Sequence, residues 1–93
     1  MTTAPRIDIA IVDAPDGWIA NVTVAARTAT SHVVRISRAE HERYGGGDVR
    51  DLLRRSFEFM LDREPNTSIL REFDLAAIER YFGAFPAYIR GGR

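Results

Sequence analysis

The 93-residue sequence contains no cysteine, which excludes disulfide frameworks, thiolate metal sites and cysteine nucleophiles. Lysine is missing too, so all thirteen basic residues are arginine. There is no net charge: thirteen basic residues face thirteen acidic ones, and bulk electrostatics favour neither nucleic acid nor an anionic membrane surface. The balance is also local, with three Arg and three Asp in residues 1–37 and ten Arg and ten acids in residues 38–93. Like charges gather only at the end, in Arg90 and Arg93. A clustered arginine set would suit phosphate, because the guanidinium fork matches its geometry. Dispersed among twelve Ala and seven Gly, it reads instead as the coding bias of a GC-rich bacterial genome. Long hydrophobic runs are also missing. The longest is four residues, far below the ~20 that span a bilayer. The opening Met1-Thr2-Thr3-Ala4-Pro5-Arg6 lacks the apolar segment of an export signal, which makes the cytoplasm the expected compartment.

What is present suffices for one small domain. With 45% hydrophobic residues, a chain of this length buries roughly two-thirds of the surface it exposes when unfolded. Residues 6–12 alternate, with Ile7, Ile9 and Ile11 on one face, and residues 18–25 alternate again through Trp18, Ala20, Val22 and Val24. Pro15-Asp16-Gly17 between them supplies the corner residues of a bulged hairpin. After the small, polar loop 26–31, His32-Val33-Val34-Arg35-Ile36 reads as a third antiparallel strand. Ser37-Arg38-Ala39-Glu40 is a capping box opening a short helix over 38–44, which Gly45-Gly46-Gly47 ends. Asp48 caps a main helix over 49–63, whose apolar arc (Val49, Leu52, Leu53, Ser56, Phe57, Met60, widened by Phe59 and Leu61) covers about half its circumference. That arc is too wide for one partner and demands the sheet on one side and the C-terminal third on the other. Pro65 stops the helix, and Asn66-Thr67-Ser68 begins a turn carrying Ile69 and Leu70. Asp74 reads as the cap of a third helix, 75–82, and Phe85–Ile89 as an aromatic tail without periodicity. The expected fold is therefore α+β: a three-stranded antiparallel meander within residues 1–37, then three helices and the tail within 38–93.

The stretch Ser56–Phe82, SFEFMLDREPNTSILREFDLAAIERYF, resembles the signature of a family of small bacterial proteins to which no activity is attached. In that pattern an SFxFLL-REP-SIL helix precedes an FDL-I-YFP tail, behind a short strand and a helix start rich in Ser, Arg and Glu. The family pattern continues with Pro and an acidic residue after the YF pair. This chain has Gly83-Ala84-Phe85 there, so its tail departs from the pattern. The resemblance implies a stand-alone α+β domain and brings no catalytic residues with it.

Candidate chemistry is sparse. His32 and His41 with Glu40 or Glu42 would be the metal ligands, but adjacent helical positions diverge by about 100° and no HxxxH spacing occurs; no metal or cofactor is expected. Ser56 on the apolar helix face marks close packing, no GxSxG elbow occurs, and Ser31-His32 has no acid nearby in sequence. Gly45-Gly46-Gly47-Asp48 resembles a phosphate loop only superficially, since Asp48 puts negative charge where the phosphate would sit. A His41–Tyr44 pair reads as a surface contact. Residues 32–63 follow the order of a ribbon-helix-helix DNA-binding regulator, with Val33 and Arg35 as its base-reading side chains. The late aromatics are the strongest interaction signal: Tyr81, Phe82, Phe85 and Tyr88 hold four of the nine aromatic residues, a type enriched at interface centres. The sequence thus favours a non-enzymatic protein-interaction or regulatory module, homodimeric through a free sheet edge or bound to another protein through the tail. The DNA-binding regulator stands second. A small-molecule binder or enzyme using His32 stands last.

Overall fold

The computed structural model describes residues 5–91; Met1–Ala4, on which the export reading rests in part, and Gly92 and Arg93 lie outside the described residues. The opening hairpin pairs β1 (Arg6–Ala14) with β2 (Gly17–Ala25). Their register sets Ile7 opposite Val24, Ile9 opposite Val22 and Ile11 opposite Ala20. All six side chains share one face because strand side chains alternate with period two, and Ala20, Val22 and Val24 are fully buried there. β3 (Thr30–Ser37) continues antiparallel to β2, adding His32, Val34 and Ile36 to the same face. No extra residue is needed at the hairpin corner. Pro15 and Asp16 form the loop, and Gly17 pairs directly with Ala14.

The expected three-stranded meander is incomplete. The sheet has four strands in the order β1-β2-β3-β4, and β4 (Glu72–Asp74) runs parallel to β3. The division into a sheet half and a helical half therefore fails, since the fourth strand comes from the later part of the chain. Asp74 is not a helix cap but the last residue of β4. Three residues with a single apolar one, Phe73, carry no alternation to detect. Their strand state comes from docking: Phe73 sits opposite Val34 and is buried.

Helix α1 (Arg38–Arg43) starts from the capping box, with the Ser37 hydroxyl accepting from the Glu40 amide at 3.0 Å and the Glu40 carboxylate from the Ser37 amide at 2.8 Å. The following Gly45–Gly47 all have positive φ, a region that side chains with a Cβ avoid. Asp48 caps α2 (Val49–Leu61), accepting from the Arg50 amide at 3.0 Å. The helix ends two residues before the expected Arg63. A 3-10 turn (Asn66–Ser68) follows, and the third helix, expected over 75–82, is shortened to α3 (Ala77–Tyr81). The aperiodic tail is in fact a helix, α4 (Phe85–Gly91). That gives four α-helices among the described residues.

The wide apolar arc of α2 does have two partners. On its sheet side the Phe57 ring lies 5.5 Å from His32 and 6.2 Å from Phe73. On its far side Phe59 meets Phe82 at 5.8 Å, Phe85 at 5.3 Å and Tyr88 at 4.8 Å, a ring cluster in the favoured edge and tilted geometries. Arg55 fastens the arrangement by donating to Asp51 at 2.9 Å and to the carbonyl of Ile89 at 2.9 Å. Tyr44, expected at the surface beside His41, is instead fully buried against Phe85 at 5.1 Å, and its hydroxyl donates to Glu79. Burial, helped by the bond to Glu79, holds its phenol well above the ordinary tyrosine pKa, so it stays a donor.

Gly17 is needed for close approach. A Cβ there would lie 2.0 Å from the carbonyl oxygen of Ile36, and its φ is +150°. Gly17→Ala should cost about 1–3 kcal/mol in chemical denaturation. Gly83→Ala, with nothing within 4 Å of the added Cβ, should leave the unfolding midpoint nearly unchanged.

Candidate functional site

The residues after α2 are tied to β3 at every second position. The Val33 amide donates to the Arg71 carbonyl at 2.7 Å, and the Leu75 amide to the Arg35 carbonyl at 2.9 Å. On the outer sheet face the Arg35 guanidinium donates to Asp74 at 2.8 Å and Glu72 at 2.5 Å. Those two bonds, Asp74 first, raise its pKa further above the ordinary arginine value. One step earlier, the ring of buried His32 contacts the Leu70 carbonyl through Nδ1 at 2.7 Å and Thr30 Oγ1 through Nε2 at 2.9 Å. A carbonyl only accepts, so Nδ1 carries a proton, and Nε2 shares its hydrogen bond with the Thr30 hydroxyl. Thr30 accepts in turn from Asn66 Nδ2 at 2.8 Å, and the same amide donates to the Thr28 carbonyl at 2.7 Å. Both ring nitrogens of His32 are therefore used to hold the chain in place.

This anchoring leaves a groove where the end of α2, the 3-10 turn, β4 and α3 meet. Its volume is about 290 Å³, and Met60, Ile69, Phe73 and Ile78 form its buried floor. Phe82 is half-buried in its wall, and Glu64 contributes one half-buried carboxylate. Leu70 and Tyr81, at 47% and 67% exposed, stand on its rim. They are two of the three large hydrophobic residues exposed among the described residues; the third, Val12, lies on the outer face of β1. Two large apolar side chains bordering one apolar hollow are unlike the scattered apolar residues of an ordinary surface. A wider hollow of about 500 Å³ lies at the hairpin end of the sheet, bordered by Trp18, Ile19, Arg35, Glu40 and Asp74. Three of its charged groups already have partners: Arg35 holds Asp74, and Glu40 accepts from the amides of Ser37 and Ala76.

The residues singled out in the sequence separate in space. Of the four late aromatics, Tyr81 and Phe82 line the groove, Phe85 is fully buried, and Tyr88 is half-buried against Phe59. Phe85 is thus core rather than interaction surface. His41 donates through Nε2 to the Gly47 carbonyl at 2.7 Å and packs its ring 4.9 Å from Trp18. Ser56 is buried and returns its hydroxyl to the Leu52 carbonyl at 2.7 Å. Among the described residues no three His, Asp or Glu side chains converge on a cation-sized space, and no helix is long and apolar enough to cross a membrane. Val33 and Arg35 lie on the outer sheet face, but β3 is an inner strand with β2 on one side and β4 on the other. A DNA-reading ribbon would require β3 to pair with a second chain, and β4 already holds that edge. The edge strands are β1 and the three-residue β4, and at β1 Arg50 donates across the edge to the carbonyl of Ile9. Charges set along an edge strand hinder pairing with another sheet. Neither Leu70 nor Glu64 could be assigned to a site from the sequence: Leu70 is indistinguishable in type from its buried neighbour Ile69, and a Glu beside a helix-ending Pro looks like any solvated residue. Comparisons with protein-family models, curated proteins and solved structures found no match for this chain.

Asn66→Ala should destabilise the fold by about 1–3 kcal/mol, because it removes both hydrogen bonds that the buried Asn66 amide donates to the Thr28 carbonyl and the Thr30 hydroxyl. Leu70→Ala and Tyr81→Ala, which remove exposed side chains, should each stay within about 0.5 kcal/mol of wild type. Urea unfolding of the three variants checks both statements.

Proposed function

We propose that this chain is a non-enzymatic protein-interaction module that takes a large apolar side chain of a partner polypeptide into the groove between α2, β4 and α3. The observation that carries this reading is the pairing of a hollow of about 290 Å³ with two exposed rim residues, Leu70 and Tyr81. The hollow is slightly smaller than the ~300–1,000 Å³ of pockets that enclose a small-molecule ligand. It suits a side chain delivered from a partner surface. Tyrosine at the rim fits the role, since it offers a broad apolar ring at little cost in rotamer entropy and recurs at interface hot spots. The partner's backbone would lie across Tyr81 and Leu70, excluding water from the floor.

The chemistry of the histidines supports a binding role over a catalytic one. A general base needs a free ring nitrogen within reach of a substrate, and both ring nitrogens of buried His32 are already hydrogen-bonded, to Leu70 and to Thr30.

Selection of a random twelve-residue peptide display library on the full chain tests the proposal. Enriched peptides should carry a Leu, Met, Phe or Trp anchor. They should lose at least about tenfold in affinity for Tyr81→Ala while binding Val12→Ala, altered on the sheet's outer face, as tightly as wild type. Peptides indifferent to Tyr81→Ala, or no enrichment at all, would contradict the proposal. So would self-association of the chain that Tyr81→Ala abolishes, which would put a second copy in the groove.

A further inference from the structure

The groove has one charged wall, and its surroundings point to the chemistry of what binds there. Glu64 lies just beyond the C-terminal end of α2, with its amide donating to the Met60 carbonyl at 2.9 Å. Its carboxylate has no hydrogen-bond or ion-pair partner among the described residues, although it lines an otherwise largely apolar hollow. The carbonyl end of a helix carries about half a negative charge; the last turn of α2 holds no basic residue, and Arg63 beyond it covers one of the end carbonyls, that of Phe59. Asp62, the C-cap residue, adds another carboxylate. The one arginine that follows, Arg63, is occupied. Its Nη1 donates to the Phe59 carbonyl at 2.8 Å, and its guanidinium carbon sits 3.6 Å from the centre of the Phe59 ring. Arg71 and Arg80 adjoin the rim residues in sequence, but neither lines the groove or pairs with Glu64.

We infer that the partner polypeptide carries a lysine or arginine within one or two positions of its apolar anchor, and that Glu64 receives that cation at the groove mouth. This rests on the groove being the binding site and goes further by naming the partner's second determinant. The two requirements are compatible in one short segment. A long basic side chain lays its methylene stem along apolar surface while its head reaches a polar group, and here the stem would follow the apolar wall as far as Glu64. Neighbouring positions of an extended peptide lie ~3.3 Å apart, so an anchor in the hollow keeps a residue one or two places away near the mouth. Because Glu64 is half-buried, its attraction for such a cation is screened less than that of a fully exposed pair. An acidic residue at the same place would face the Glu64 carboxylate, so the groove discriminates by repulsion as well as by attraction.

The library selection repeated on Glu64→Gln and Glu64→Arg tests this. Glu64 makes no interaction that the fold uses beyond its backbone, so both variants should unfold at the wild-type urea midpoint. Peptides enriched on wild type should show Lys or Arg within two positions of the anchor. Their affinity should fall about two- to fivefold for Glu64→Gln and at least about tenfold for Glu64→Arg. Selection on Glu64→Arg should turn toward peptides with Asp or Glu beside the anchor. Apolar peptides without basic enrichment, sensitive to Tyr81→Ala but not to Glu64→Arg, would overturn this inference and leave the groove as the binding site. Peptides insensitive to Tyr81→Ala would overturn both.

Discussion

The structure depends on the parallel contact between β3 and the six residues from Leu70 to Leu75. Alternate amides and carbonyls of β3 reach across to this segment, with Val33 donating to Arg71 and Leu75 donating to Arg35. Arg35 adds its two carboxylate partners on the outer face, and His32 holds the Leu70 carbonyl on the inner one. A three-residue strand has little stability of its own. It forms because its backbone groups and Phe73 would otherwise be buried without partners. Once it is docked, β3 becomes an inner strand and α3 is delivered against the end of α2.

That docking divides the work among the aromatic residues. Phe57 and Phe73 close the inner side of the sheet, while Phe59, Phe85 and Tyr88 close the opposite side of α2. Tyr44 and Glu79 link α1 to α3, and Glu40 reinforces the link through the Ala76 amide. With the core filled from those positions, Tyr81 and Leu70 are left at the surface. They are exposed because the fold has no interior place for them, and they border a hollow whose floor is core. Stability and recognition thus use neighbouring positions of one short segment: Ile69, Phe73 and Ile78 point inward, and Leu70 and Tyr81 border the groove.

Much of the fold was legible in the sequence, and the parts that were not share a cause. The hairpin, β3, the Ser37 capping box, the Asp48 cap and the two-sided burial of α2 all follow from local patterns: period-two alternation, cap chemistry and a helical arc. β4, the shortened α3 and the helical tail arise from tertiary contacts. Glu72-Phe73-Asp74 has no strand pattern, and Asp74 before Leu75 has every appearance of a helix cap until Arg35 claims it. Half of the candidate site was visible, since the late aromatics include Tyr81 and Phe82. Phe85 was indistinguishable from them by type, because only three-dimensional packing separates a ring that fills the core from one that borders a groove. Glu64 and Leu70 become neighbours through the turn around Pro65 and the anchoring of Leu70 by His32, neither of which local periodicity encodes.

The central claim is that the Leu70–Leu75 segment is a permanent part of the sheet rather than a loosely attached flank. Amide hydrogen exchange by NMR tests it within a single strand, because in β3 the Val33 amide points to Arg71 while Val34, paired with Ala20, points to β2. Val33 and Leu75 should exchange as slowly as Val34, at the rate set by global unfolding. Rapid exchange at Val33 and Leu75 with Val34 still protected would show that β4 detaches independently, and it would remove the structural basis for the groove.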